Sequence, residues 1–458
     1  IGSGYAPRLY VDLRDPNGKL IASNTLGNPN TDAVTTTTNN TAWWVVNVVK
    51  PAVTSIGIDG TYAVAGLQLQ GPGAGLLLQK FDAFGNAVGS QITLASGSNL
   101  SYAPTLSDLG GGKYLAAWST GSSITYKVIG ANSQVSLTGT LDGNATSATS
   151  ADSSPVLAYL GGTNGAVVAW AGIDEGGDSS IFVQKIDASG AKDAVLVKLE
   201  ATGTTAKNES TPTIKVLPNG EYVVSFVGID SDGTDTSIYV QKFDATGTQV
   251  GSVQKLESPA TTAGTDTSAQ IEAVGTAGEY IVVWAGNDGT GTSTTTNAVY
   301  VQKFNANGTT NGAVRTIDRG YTASQPKVVT FDNGDYAVAW IDGQSNSKTY
   351  TGYDGTTKTV TTPNELVLQK FSGDGTLLWT QTYFDVYSAY QVYNYSNYTY
   401  SWAYQNSASI DAVDLITLAN GDVRLSGSKY TVLADGAGRT NYFYAPIVFE
   451  LEYDTNGQ

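Results

Sequence analysis

The chain has 458 residues, enough for a large core, yet it contains no Cys, no Met and no His. Those gaps exclude disulfides, thiolate nucleophiles, Cys-type zinc sites, the Ser-His-Asp arrangement and the usual imidazole base. A formal net charge of −16 repels phosphate backbones, so nucleic acid is not an expected partner.

Taken in chain order, residues 8–24 (RLYVDLRDPNGKLIASN) come first and read as two strands about a turn. They match the third and fourth strands of the repeat described next, without a first and second strand before them. The apolar run AWWVVNVV at residues 42–49 is far too short to cross a bilayer, and no membrane span is expected. The sequence starts at Ile1 with neither initiator Met nor signal peptide, the expectation for a processed form or a piece of a longer protein.

From Pro51 the chain repeats a unit of roughly 50–57 residues. Each unit opens on an apolar strand, often led by proline: PAVTSI at Pro51, PTLSDL at Pro104, PVLAYL at Pro155, PTIKVL at Pro212, AQIEAV at Ala269 and PKVVTF at Pro326. A Gly-containing turn follows, Asn-Gly in several units, which is the preferred composition of a tight hairpin. The second strand runs to an aromatic: Trp118, Trp170, Phe226, Trp284 or Trp340. After a polar loop comes a recurring third strand: GLLLQKFD at Gly75, SIFVQKID at Ser180, SIYVQKFD at Ser237, AVYVQKFN at Ala298 and ELVLQKFS at Glu365. A second turn leads to a weaker fourth strand. The degenerate last unit begins with DAVDLITLANGDVRLSG at Asp411 and ends in IVFELEYDTNG.

Four short antiparallel strands per unit, with no helical period anywhere, predict an all-β chain of β-propeller blades. Seven blades fit best and eight remain open. Residues 1–458 are read as a single propeller: closing strands in 1–50, regular repeats in 51–372, a Tyr-rich insertion in 382–405 and the last blade in 411–458. Closure is expected from pairing of N- and C-terminal strands, with residues 19–24 as the missing outer strand. The strand at 8–14 is left over, for an eighth blade or for pairing with another subunit. The recurring aromatics are expected to fill blade interfaces. The recurring Lys80, Lys185, Lys242, Lys303 and Lys370 are expected to pair with carboxylates of neighbouring strands, such as Glu221 or Asp335.

The loop between second and third strands is where the units differ. An Asp follows the aromatic by four residues in three of them, at Asp174, Asp230 and Asp288. Asp230, Asp232 and Asp235, spaced around Gly233, offer hard oxygens to a calcium ion, as do Asp174 and Asp178 in the preceding unit. The same residue types also cap turns, and the spacing alone leaves both readings open. The corresponding stretch from Asp342 to residue 364 is a long polar loop.

Residues 382–405 (TYFDVYSAYQVYNYSNYTYSWAYQ) form the largest departure from the repeat. Tyr387, Tyr390 and Tyr393 precede an alternating series, Tyr398, Tyr400, Trp402 and Tyr404, which is strand periodicity with one aromatic face. Two readings stand: an elongated hairpin packing on its neighbour, or a contact surface for a protein or glycan partner.

The unit NGEYVVSF…SIYVQKFDATGTQVGS resembles repeats of large bacterial secreted surface proteins and adhesins, in which a GYVVAW…IYAQRFDAxGxxVG pattern recurs. The resemblance covers the repeated strands from about Pro51 to Ser372. It implies propeller-like architecture, type-I secretion and calcium association, although the GGxGxDxUx nonapeptides that accompany such proteins are absent here. The lack of Cys and the Gly/Thr/Ser richness are similar to S-layer and other self-assembling envelope proteins. The expectation is therefore a non-enzymatic extracellular surface protein that assembles with itself or with other surface proteins, or binds glycans. The alternative is a secreted carbohydrate-active enzyme using two carboxylates. SGDGTLLW at Ser372 is a single near match to the Asp-box of sialidase propellers.

Overall fold

In a computed structural model the described residues are 9–14, 20–26, 48–55, 61–68, 75–84, 86–96, 104–142, 151–201, 208–229, 235–257, 265–287, 297–317, 319–362, 364–383, 389–394, 399–418, 420–434 and 440–457. No helix occurs among them. They form seven four-stranded sheets that follow one another along the chain, plus two isolated hairpins.

The first sheet comprises Val48–Ser55, Tyr62–Gln68, Gly75–Phe81 and Ala87–Ser96; the second, Thr105–Gly110, Lys113–Ser119, Ile124–Ile129 and Val135–Leu141. The third is Ser153–Tyr159, Ala166–Ile173, Ser179–Ile186 and Lys192–Leu199. The fourth is Ser210–Val216, Tyr222–Ile229, Thr236–Phe243 and Gln249–Leu256. The fifth is Thr267–Val274, Glu279–Asn287, Asn297–Phe304 and Thr310–Ile317. The sixth is Ala323–Thr330, Tyr336–Asp342, Glu365–Phe371 and Leu377–Tyr383, interrupted by a hairpin of Asn346–Thr351 and Thr357–Thr362. The seventh is Ala389–Asn394, Thr399–Thr417, Val423–Ala434 and Thr440–Tyr453. Within each sheet spatial neighbours are chain neighbours, apart from the hairpin skipped in the sixth.

The chain divides into two compact units, residues 1–233 with 239–255, and residues 234–238 with 256–458. In the first unit, apolar clusters join the first sheet to the second, the second to the third and the third to the fourth. In the second unit they join the fifth to the sixth and the sixth to the seventh. The reason lies in the second and third strands. AVVAWAGI and EYIVVWAGN are apolar at successive positions, so both faces must be covered, and nearly every residue in them is buried. Fourth strands such as KDAVLVKL are mostly exposed.

Trp118, Trp170, Phe226, Trp284 and Trp340 are all buried, and Trp118, Trp170, Phe226 and Trp340 belong to the clusters that join neighbouring sheets. Cross-strand stacks support them: Trp170 on Phe182 at 5.8 Å, Trp284 on Tyr300 at 5.6 Å, Tyr222 on Phe243 at 4.8 Å. The Asn-Gly turns fold as their composition dictates, with Gly220 at φ 85° and Gly334 at φ 82°, a region that an L side chain enters only at a cost.

Three expectations change. Residues 342–364 are not a loop throughout, because the Ser/Thr/Tyr-rich segment pairs with itself, Thr349 opposite Thr359. The strands Leu9–Arg14 and Leu20–Leu26 pair about a turn as expected, but they form a two-stranded sheet of their own, and Leu20–Leu26 is not an outer strand of the last sheet. The seventh sheet draws all its strands from residue 389 onward. The recurring lysines divide as well. Lys242 Nζ meets Glu221 Oε2 at 2.6 Å as expected. Lys80, Lys185 and Lys303 reach carbonyls in the turn between third and fourth strands of the following sheet: Lys80 to Ala131 (3.4 Å), Lys185 to Ala245 and Thr246 (both 3.2 Å) and Lys303 to Gly373 (2.5 Å). Lys370 reaches the carbonyl of Thr455 (3.4 Å), just after the last strand of the seventh sheet.

Candidate functional site

Acidic residues gather at the end of the sheets where second strands pass to third strands. In the third sheet Gly172 pairs with Ser180, and in the fifth Gly286 pairs with Ala298. These small pairs make room for a carboxylate carried by the residue just before the first strand. A Cβ on Gly172 would lie 2.1 Å from Asp152 Oδ1, and one on Gly286 would lie 1.8 Å from Asp266 Oδ1. Asp152 and Asp266 are each 1% exposed.

The sixth sheet inverts this arrangement. Thr322 stands before its first strand, and the register positions of the small pair hold Asp342 opposite Glu365. The two carboxylates are 1% and 3% exposed. Arg319 neutralises them, with Nη1 at 2.5 Å from Glu365 Oε1 and 3.6 Å from Asp342 Oδ2. Asn346, at the base of the extra hairpin, donates from Nδ2 to Glu365 Oε2 at 3.2 Å. The Asp342 oxygens accept the Gln344 N–H at 3.0 Å and the Trp340 indole N–H at 3.4 Å. Burial nevertheless holds the Asp342 carboxyl above its ordinary range, with Glu365 adding to the rise.

In the first unit a second acidic group surrounds Lys198, which bridges Asp174 Oδ2 at 2.8 Å and Glu200 Oε1 at 2.7 Å. Asp174 Oδ1 accepts the Gly176 N–H at 2.7 Å, closing the turn to Asp178. Burial pushes the Asp174 carboxyl up, but the Lys198, Asp178 and Gly176 contacts outweigh it and the group lies well below the usual carboxylate range. Glu209 precedes the first strand of the fourth sheet and is 1% exposed. Its Oε1 accepts the Ala201 N–H at 2.8 Å, while Oε2 is buried without a hydrogen-bond partner. Burial, with the negative charge of Glu200 and Asp178, pushes this carboxyl up to about 7.

The acidic candidates read from the sequence therefore separate. Asp174 and Asp178 share one turn, with Asp174 committed to a lysine and a backbone N–H. Asp235 is buried, and Asp230, Asp232 and Asp288 lie outside the described residues. Among the described residues no group of three or more Asp or Glu has the geometry to hold a metal ion. Of the aromatic segment, Tyr387 and Tyr398 lie outside the described residues. Tyr390, Tyr393, Tyr400, Trp402 and Tyr404 lie on two paired strands, with Tyr393 opposite Tyr400, Gln391 opposite Trp402 and Ala389 opposite Tyr404. The strand Thr399–Thr417 pairs from Tyr404 to Thr417 with Val423–Ala434 of the same sheet, with register shifts between Ser407 and Ile410 and between Ile410 and Ala412.

Sequence reading missed the Arg319–Asp342–Glu365 group and Glu209. One signal was present: Glu365 occupies the place where the repeated phrase otherwise has Gly75, Ser180, Ser237 or Ala298.

No protein-family model matches the chain, and no curated protein matches it. Among solved structures, the polysaccharide lyase Uly1 is 11% identical, with 86% of this chain and 88% of that one covered at a TM-score of 0.47. The WD40 domain of SCAP from fission yeast is 13% identical, covering 90% and 88% at a TM-score of 0.41. An endo-arabinase from Bacteroides thetaiotaomicron is 14% identical, covering 55% and 89% at a TM-score of 0.30. Likeness at this level says nothing of activity.

Proposed function

We propose that this chain is the repeat scaffold of an extracellular surface protein that acts by self-assembly and by binding protein or glycan partners, without catalysis. Its sheets are the blades of a seven-bladed propeller, as the seven consecutive four-stranded sheets support. One observation carries the functional reading: the described part of the Tyr-rich segment, residues 389–394 and 399–404, is paired strand of the seventh sheet. Interfaces concentrate their energy in a few Tyr and Trp anchors, and an aromatic series on a rigid strand costs little entropy to present. Type-I secretion and a calcium ion in the loop bearing Asp230, Asp232 and Asp235 belong to the same proposal, and rest on the repeat resemblance and the aspartate spacing. The test is replacement of residues 387–404 by a short Gly/Asn turn. The trimmed protein should keep its far-UV spectrum and cooperative melting but lose filaments or lattices in electron micrographs. Global unfolding on trimming would make the segment core packing and remove this reading.

A second reading, a carbohydrate-active enzyme, is favoured by the paired Asp342 and Glu365. Two carboxylates, one of them held above its ordinary range, are the equipment of glycosidic bond cleavage. Both are shut from solvent and tied to Arg319, which supports the scaffold reading first. Turnover of a polysaccharide panel by the purified protein, abolished in Glu365→Gln with folding intact, would reverse that order.

A further inference from the structure

The turn joining the first two strands of the fourth sheet contains Asn219, Gly220 and Glu221. Asn219 Oδ1 accepts the Glu221 N–H at 3.1 Å, and Asn219 Nδ2 donates to Glu221 Oε2 at 2.6 Å. The same carboxylate oxygen receives Lys242 Nζ at 2.6 Å. An amine and a primary amide thus meet on one oxygen. The lysine side chain is 1% exposed and the glutamate 24%. The asparagine carbonyl is meanwhile polarised by a backbone N–H.

We propose that Lys242 and Asn219 are the two ends of an intramolecular isopeptide bond, with Glu221 as the group that carries protons between them. Glu221 takes a proton from the Lys242 ammonium, and the freed amine attacks Asn219 Cγ. The Cγ–Nζ bond forms and the Cγ–Nδ2 bond breaks. Glu221 returns its proton to Nδ2, and the second proton shed by Nζ follows, so nitrogen leaves as ammonium. One ammonium and one amide become one amide and one ammonium, with charge conserved and no oxidant or outside reactant needed. The carboxylate is suited to this shuttle because it already touches both the nucleophile and the leaving group.

The chain contains its own controls. Asn333 donates to Asp335 at 2.8 Å and Asn420 to Asp422 at 2.5 Å in the same turn geometry, Oδ1 again accepting the acid's N–H. There the acid is one methylene shorter. Lys303 and Lys370, the nearest counterparts of Lys242, are directed to the carbonyls of Gly373 and Thr455. The turn alone is therefore a structural device, and the lysine on the shared oxygen sets the fourth sheet apart.

Mass spectrometry of the folded, purified protein decides the matter. The intact mass should fall about 17 Da below the sequence mass, one ammonia. A protease digest should yield a branched peptide joining the segment of Asn219 to that of Lys242, with cleavage after Lys242 blocked. Glu221→Gln and Lys242→Arg should each restore the full mass while the protein still melts cooperatively. A folded wild type at full sequence mass overturns the proposal. So does an ammonia loss that maps to a linear Asn219–Gly220 succinimide, or one that persists in Lys242→Arg.

Discussion

The fifth and sixth sheets solve one problem in opposite ways. Both bury a carboxylate where the second strand ends. In the fifth it comes from Asp266, outside the strand, and Gly286 yields the space. In the sixth it comes from Asp342, on the strand, and Thr322 stands where the outside acid would be. The sixth sheet then adds a second acid, Glu365, and a cation, Arg319, to hold both. A buried carboxylate at this end is thus a property of the scaffold, whereas a pair of them with an arginine is a property of one sheet. The difference teaches that the first is architecture and only the second is a candidate for chemistry.

The comparison can be broken most severely at Arg319. Arg319→Ala leaves two buried carboxylates without their cation and should cost about 3–5 kcal/mol of stability, read by chemical denaturation. The triple change Arg319→Ala, Asp342→Gly and Glu365→Ser, which imitates the third sheet, should recover most of that loss. A single variant as stable as the parent would show that the cation does not hold the pair.

Gly286→Ala tests the other side. Its methyl would enter the Asp266 carboxylate, and the expected loss is about 1–3 kcal/mol, the range for overpacking. Combined with Asp266→Ala, the two losses should sum to less than their parts. Strict additivity would mean that the glycine is required for another reason.

The finest distinction concerns Glu209, which occupies the same place before the fourth sheet. Its folded carboxyl titrates at about 7 and an unfolded one near 4.5, so the folded state holds the extra proton between these values. Stability should therefore fall as pH rises from about 5 to 8, by roughly 2 kcal/mol, and Glu209→Gln should flatten that slope. A wild type equally stable at both pH values would place Glu209 in contact with water or a cation.

Much of the fold was legible because its signals are local. The phrase at Ser180, Ser237 and Ala298, the Asn-Gly turns and the aromatics at Trp170, Trp284 and Trp340 each declare a strand, a hairpin or a buried face within a few residues. The hairpin at Asn346–Thr362 was misread as loop, since hydroxyl-rich strands lack an apolar stripe and declare themselves only by β-branched content. The acid pair was hidden for a different reason. Arg319 and Glu365 are far apart in sequence, and Asp342 faces Glu365 only through a strand register that is fixed after pairing. Glu209 looks like any surface glutamate until its burial is seen.

The lysine contacts bear on how such a chain arises. In the sixth sheet Gly373, which receives Lys303 from the sheet before, stands three residues after Lys370, which reaches the turn of the sheet after. The phrase of the sixth sheet therefore carries the fitting for its predecessor and the fitting for its successor together. A gene segment of this kind, copied in tandem, would bring both halves of a working joint with it.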